Sequence, residues 1–344
     1  MTQDPSGQPV GSPTGHSDNA PADPAPNKVL IIKLGALGDM VQSLGPMAAI
    51  RHHHPNAHIT ALTTAPYEML LRASGYVDDV WLDTKPRWFQ PGRWNDLRSR
   101  LHAAEFHRVY DLQTSDRSSF YHHLLWPGPF PEWSGIARGC SHPHANPERD
   151  TLHTIDRQSE QLFDAGIPQV PLPDLSWADS DTRRFDVSEP LCLIAPGGAP
   201  HRPAKRWPSE HFAALAHTLT DIGVTPVLIG ATAESGLLSA IAATCPGARN
   251  LCGETSFLDL AALARRAAGA VGNDTGPMHL LAAAGCPCTV LFSGESDPVL
   301  CAPRGLSVTF LRQPDLRSLA VSDVMASLRE IAPGIQLGVP PDQP

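Results

Sequence analysis

Three short stretches carry residue types and spacings suited to a phosphorylated substrate. The first is Leu34-Gly35-Ala36-Leu37-Gly38-Asp39, which follows an apolar run and precedes a helical pattern. Gly35 and Gly38 let the backbone approach a ligand closely, and a helix N-terminus favours an anion there. On local physics alone Asp39 is a helix cap, a role typically worth about 1 kcal/mol. The second stretch is Ala195-Pro196-Gly197-Gly198-Ala199, with Lys205-Arg206-Trp207-Pro208 close behind. The N–H groups of Gly197 and Gly198 and the Lys205 ammonium suit a diphosphate; a solvated Lys-Arg surface pair is the competing reading. The third is Gly272-Asn273-Asp274-Thr275-Gly276-Pro277-Met278-His279. Here Thr275 and Gly276 offer donors to an anion at a helix start. Plain capping by Asp274 or Thr275, with Pro277 in the first turn, is the alternative. His279 falls one turn inside and reads equally well as a core histidine.

The elements that must hold these stretches alternate between strand and helix. Apolar, β-branched runs at 28–34, 58–63, 79–82 and 108–112 read as strands, with helices over 40–53, 67–74, 95–104 and 152–165. Residues 127–150 are rich in Pro, Gly and His and read as irregular. Residues 167–190, rich in Pro and Asp, suit an interdomain connection. The alternation restarts with strands at 191–195, 225–229, 270–271 and 288–292. Helices intervene at 209–221, 233–244, 257–266 and 277–284, the third opened by a capping box at Ser256-Phe257-Leu258-Asp259. The expected fold class is therefore α/β, two Rossmann-like parallel-sheet domains facing a central cleft. The expected boundaries are a tail over 1–27, a first domain over 28–175, a linker over 176–190 and a second domain over 191–344. The last helix is open to packing back on the first domain.

Composition narrows the functions. The chain has 344 residues, of which 42% are apolar and 18% charged, as expected of a globular protein. Its net charge of −9 argues against nucleic acid as a partner, since no basic face is evident to displace counterions. The seven cysteines show no paired metal-binding spacing and read as buried, reduced thiols, so no metal is expected. Residues 1–27 lack the basic start and apolar run of a secretion signal. The run 279–292 is broken by Gly285 and Pro287, which argues against a membrane span. The loop G-x-x-G-D lacks the dinucleotide fingerprint G-x-G-x-x-G, which disfavours a nicotinamide-dependent oxidoreductase.

Taken together and in order, G-x-x-G-D, P-G-G, K-R-W-P and N-D-T-G-P-M-H resemble glycosyltransferase family 9, whose members include ADP-heptose:lipopolysaccharide heptosyltransferases. The likeness covers nearly all of residues 28–305 and includes Asn250-Leu251-Cys252-Gly253-Glu254-Thr255-Ser256, similar to the family's N-L-x-G-x-T-S. The resemblance implies a GT-B fold and an inverting, metal-independent transfer, with the acceptor on the first domain and a nucleotide-sugar donor, ADP-sugar favoured, on the second. It implies that Asp39 is the catalytic base, that Lys205 binds the donor diphosphate, and that Asp274, Thr275 and Gly276 surround it. Asp274, itself anionic, is assigned to loop geometry or sugar hydroxyls. Glu234, after the Gly230 loop, is the candidate for the ribose. The acceptor is a lipid-linked or oligosaccharide glycan of the cell envelope, met in the cytoplasm at the inner face of the inner membrane. A nucleotide-sugar epimerase and a catalytically silent sugar-nucleotide-binding protein are the alternatives.

Two departures from the family flank the donor side. The loop 196–205 is longer than usual, and Phe292-Ser293-Gly294-Glu295-Ser296-Asp297-Pro298 stands where the family has F-G-P-T-D-P. Both leave the donor sugar and base open. A third feature has no counterpart: Lys85-Pro86-Arg87-Trp88-Phe89-Gln90-Pro91-Gly92-Arg93-Trp94 interleaves cations with aromatics. Arg87 and Arg93 read either as contacts to an anionic, membrane-held acceptor or as part of a solvated loop with its tryptophans packed inward.

Overall fold

The computed structural model describes residues 27–199 and 201–335, so most of the proposed N-terminal tail lies outside the described residues. The first domain is built from β1 (Lys28–Ile32), α1 (Leu37–Gln42), α2 (Leu44–His53), β2 (His58–Thr63), α3 (Glu68–Ala73), β3 (Asp79–Leu82), α4 (Pro91–Ala104), β4 (Arg108–Asp111), α5 (Asp116–Leu124), β5 (Glu132–Gly135), β6 (His142–Pro143) and α6 (Thr154–Asp164). The second comprises β7 (Leu191–Ala195), α7 (Ser209–Asp221), β8 (Thr225–Leu228), α8 (Ser235–Thr244), β9 (Arg249–Asn250), α9 (Phe257–Arg266), β10 (Gly269–Asn273), α10 (Gly276–Ala283), β11 (Cys288–Phe292), α11 (Pro298–Cys301), β12 (Val308–Arg312) and α12 (Val321–Ile331). Each domain holds one six-stranded parallel sheet, ordered β3-β2-β1-β4-β5-β6 and β12-β11-β10-β7-β8-β9. Both are doubly wound orders. Their central strands are apolar on both faces because helices cover both: Leu30, Ile31, Ile32, Leu191, Leu193 and Ile194 are fully buried.

Several local expectations need correction. The helix read as starting at Met40 begins at Leu37 and is broken at Ser43, whose hydroxyl donates to the Asp39 carbonyl at 2.7 Å. Residues 127–150 are not wholly irregular, since β5 and β6 lie there, extending the edge of the first sheet. Strands this short carry no apolar alternation, and Trp133 is the one large apolar side chain that marks β5 as buried. Helix α5, with no apolar stripe, is recognisable only by its Ser115/Ser118 capping box.

The stretch around the proposed linker is packed rather than loose. Leu175, Ala178 and Phe185 are buried, the Leu175 N–H donates to Ala283 of α10 at 2.9 Å, and Arg265 of α9 donates to the carbonyls of Leu175 and Ala178. The last described helix does not return to the first domain. Val324, Met325 and Leu328 of α12 join a core with Phe212, Leu215 and Leu219 of α7. That apolar stripe is matched by its own domain's exposed sheet face, so packing there removes more apolar surface from water.

Candidate active site

In each sheet the order reverses beside the first strand, between β1 and β4 and between β7 and β10. Connections leaving the two strands diverge to opposite faces and open a crevice at their carboxyl ends. The loop 33–36 leaves β1, the loop 196–208 leaves β7, and Asp274-Thr275 leave β10. Helices α1 and α10 start at these edges and meet across the domain boundary. A Cβ on Gly38 would sit 2.8 Å from Cδ2 of His279, and one on Gly276 would sit 2.7 Å from Cβ of Leu37. Neither position has room for a side chain. Gly35 is needed for its conformation as well, with φ at +114° and Cε2 of Tyr67 only 2.8 Å from where its Cβ would stand. The result is a cleft of about 980 Å³, walled by Leu37, Gly38 and Tyr67 on one side and by Gly197, Gly198, Arg206, Glu234, Thr275 and Gly276 on the other. Such a volume suits a nucleotide-sized ligand.

Asp39 is exposed in the first turn of α1, and its carboxylate accepts no hydrogen bond among the described residues. The capping role that local physics favours does not hold. Because the helix begins at Leu37, Ala36 occupies the N-cap and Asp39 lies past it. The cap reading fails in the third loop too: Thr275 stands at the N-cap of α10 without a side-chain cap, and Asp274 pairs with Lys205 instead. Lys205 Nζ lies 2.8 Å from Asp274 Oδ2, with the two side chains 14% and 10% exposed. Lys205 is thus no solvated surface cation. Arg206 turns inward as well, donating to the Gly198 carbonyl at 2.6 Å.

Glu234 bridges two loops, accepting from Gly198 N–H and from Ala231 N–H, each at 2.9 Å. Glu234 lines the cleft, and one of the glycine-loop donors expected to face phosphate is already engaged with it. His279 is buried, and desolvation depresses its pKa to about 4, although Asp274 and Asp39 pull the other way. It is neutral at pH 7 and fills the contact between the two helix starts.

Other residues complete the site without having been singled out from sequence. Asn273, fully buried at the end of β10, donates to the carbonyls of Pro196 and Gly197 at 2.8 and 3.1 Å and accepts from the Trp207 N–H at 2.9 Å. It ties the second and third loops into one wall; a polar side chain ending an apolar strand was the available signal. Lys33, just past β1, is buried with Nζ 3.1 Å from the Leu112 carbonyl, and burial lowers its pKa against the opposing pull of Asp39 and Asp111. Tyr67 stacks on Phe257 across the domain boundary, centroids 6.0 Å apart and planes 13° from parallel. Nothing local in sequence foretells that pairing.

The structure does not bring Arg87 and Arg93 into the cleft. Arg87 lines a separate hollow on the first domain, and Arg93 is exposed in the first turn of α4. The two tryptophans of that segment part ways: Trp94 turns in, donating to the Arg87 carbonyl at 3.0 Å, while Trp88 is 87% exposed. Among the described residues no three His, Cys, Asp or Glu side chains gather as a metal site, no cysteine is disulfide-bonded, and no helix is long and apolar enough to cross a membrane.

Residues 94–324 match the profile of glycosyltransferase family 9 (heptosyltransferase). Lipopolysaccharide heptosyltransferase 2 of Escherichia coli K12 is 28% identical over 301 residues, covering 80% of this chain and 85% of its own. Among solved structures, the E. coli ADP-heptose lipopolysaccharide heptosyltransferase II superposes with a TM-score of 0.74 at 23% identity, covering 89% of this chain and 98% of that one. E. coli heptosyltransferase WaaC with ADP superposes with a TM-score of 0.71 at 21% identity, covering 89% and 100%. At those identities the superpositions show the shared GT-B fold.

Proposed function

The chain belongs to glycosyltransferase family 9, and from that premise we propose that it moves a sugar, ADP-heptose being the foremost donor, to a lipopolysaccharide-type acceptor. Transfer proceeds with inversion and without a metal ion. The observation that carries this reading is the asymmetry of one cleft. The first-domain wall is formed by Leu37 and Gly38, next in the chain to the unengaged carboxylate of Asp39, and the second-domain wall offers Arg206, Thr275 and Gly276, beside the Lys205–Asp274 pair. The names of the E. coli relatives, which pair heptose with ADP and lipopolysaccharide, support this choice of substrate class.

In the proposed reaction an acceptor hydroxyl oxygen attacks the anomeric carbon while the bond from that carbon to the diphosphate oxygen breaks. The hydroxyl proton passes to Asp39, which general-base catalysis rewards with about 10²- to 10⁴-fold in rate. The negative charge arriving on the leaving diphosphate is met by Lys205 and by the Thr275 hydroxyl and Gly276 N–H. Asp274 keeps the ammonium of Lys205 aimed until phosphate replaces it as partner. Glu234 takes the ribose hydroxyls with the acceptor capacity left after its two backbone bonds.

The test is calorimetric titration of the purified protein with ADP, UDP, GDP and dTDP in the presence of a chelator, followed by incubation with ADP-heptose and a heptose-deficient lipopolysaccharide. Saturable binding of ADP and acceptor-dependent release of ADP are expected. Turnover of sugar nucleotide without acceptor would favour an epimerase, and a strict metal requirement would end the metal-free mechanism.

A further inference from the structure

We propose that a ledge of aromatic and basic side chains on the first domain docks on an anionic lipid bilayer. This deepens the reading above by naming the surface on which a lipid-linked acceptor is met, and its purpose rests on that reading. Residues 85–100 hold five cations, Lys85, Arg87, Arg93, Arg98 and Arg100, against one carboxylate, Asp96, in a chain whose net charge is −9. Lys85, Arg87 and Arg93 are exposed, and none of their side chains makes an ion pair or hydrogen bond among the described residues. Beside them Trp88 and Phe89 project outward, the first 87% exposed.

The apolar component extends to a second element. Phe120 of α5 shares with Arg87, Trp88, Phe89, Trp94 and Arg117 a hollow of about 910 Å³, into which one carboxylate, Asp116, also faces. Outward tryptophan and phenylalanine among unpaired arginines match the interfacial zone of a bilayer, where rings enter the headgroup layer and guanidinium groups meet lipid phosphate. The acidic remainder of the molecule is repelled by the same surface, so attraction confined to the ledge also sets orientation.

That orientation serves the cleft. The segment 83–90 follows β3 and the segment 112–115 follows β4, and both strands run parallel to β1. The ledge therefore lies along the carboxyl edge of the sheet from which the Gly35–Asp39 loop also emerges. Arg117 fastens the two segments by donating to the Pro86 carbonyl at 3.3 Å. A molecule seated on the ledge presents its acceptor-side rim to the membrane.

The experiment is density-gradient flotation of the full chain with vesicles of phosphatidylcholine alone and of phosphatidylcholine with phosphatidylglycerol, at low and high salt. Wild type, Arg87→Glu/Arg93→Glu and Trp88→Ser/Phe89→Ser are compared, with thermal melts to confirm folding, ADP titration, and sedimentation for oligomeric state. Wild type is expected to float with the anionic vesicles alone and to be released by salt. Each double variant should lose about tenfold or more in partitioning while melting and binding ADP as wild type does. Absence of wild-type flotation, or equal flotation of the variants, would overturn the proposal. So would a wild-type dimer that Trp88→Ser/Phe89→Ser dissociates, since the ledge would then be an interface between copies. Failure of wild type to bind ADP bears on the transferase reading alone and leaves the flotation result intact.

Discussion

Asp39 and Lys205 carry opposite halves of the proposed chemistry, and their surroundings differ accordingly. Asp39 is solvent-facing and unengaged, so removing its charge costs little structure. Asp39→Asn is expected to lower kcat by about 10²- to 10⁴-fold, with ADP affinity and melting temperature close to wild type; retention of more than a tenth of the activity in a stopped assay would remove Asp39 as the base. Lys205 sits in a nearly buried pair with Asp274. Lys205→Ala leaves Asp274 without its partner and should weaken ADP binding by about tenfold or more and lower stability, because a buried unpaired charge is costly. Asp274→Asn frees the ammonium and should leave ADP affinity within about threefold of wild type while lowering kcat; calorimetry beside steady-state kinetics separates the two effects. His279 gives a pH signature. Its folded pKa of about 4 lies below the ordinary 6.5, so the neutral form is favoured by folding. The stability it lends is present above pH 6.5 and is lost as pH falls through 4, about 3 kcal/mol across that window. Urea titrations from pH 7 to pH 4 should show a shallower decline for His279→Gln than for wild type, whatever the variant loses in packing at neutral pH.

Among elements, the contact between α1 and α10 decides whether the two walls form one site. It is made by small residues, with Gly38 and Gly276 each facing a side chain of the opposite helix at under 3 Å from an added Cβ. For Gly276→Ala the clash is with Leu37 and with the Gly38 backbone, and backbone cannot swing aside. The added methyl falls between the helix starts and not among the strands, so the variant should fold, but its helix starts must separate. We expect kcat/KM to fall by about tenfold or more with a smaller change in ADP affinity, ADP being held by the second domain. Equal losses in both quantities would show that the contact shapes only the nucleotide side. The order of strand, glycine turn and helix was legible at both places because it is local, with α10 read to within a residue, whereas the start of α1 and its break at Ser43 were not. The sequence was silent on α5, β5 and β6, whose short, polar or edge-located segments owe their conformation to neighbours.

At the scale of the molecule, α6 of the first domain reaches the segment after α11 of the second. Arg304 meets Asp156 through two hydrogen bonds of 2.5 and 2.6 Å, and His153 Nε2 lies 2.9 Å from the Ala302 carbonyl. The ion pair is partly exposed, with side chains 34% and 51% accessible, so its stability contribution is about 1 kcal/mol or less. Its effect belongs to domain placement instead. Arg304→Ala should leave the melting temperature nearly unchanged while increasing the radius of gyration in small-angle scattering of the ligand-free protein; an unchanged scattering curve would mean that the packed connection around Leu175 and the α1–α10 contact hold the domains without it.

What the sequence determined by itself was local and periodic. Apolar runs bounded by glycine turns specified two parallel sheets, and the order of the G-x-x-G-D, K-R-W-P and N-D-T-G-P-M-H segments pointed to the family, because each signal resides in contiguous residues. The tertiary structure decided everything that depends on partners distant in the chain. It made Lys205 a mostly buried partner of Asp274 and not a solvated surface cation, denied Asp39 and Thr275 their caps, and stacked Tyr67 on Phe257. It packed α12 on its own domain, placed Arg87 in a hollow apart from the cleft and left Arg93 exposed on α4. A side chain's exposure and electrostatic partner are properties of which surfaces close on one another, and no window of neighbouring residues contains that information.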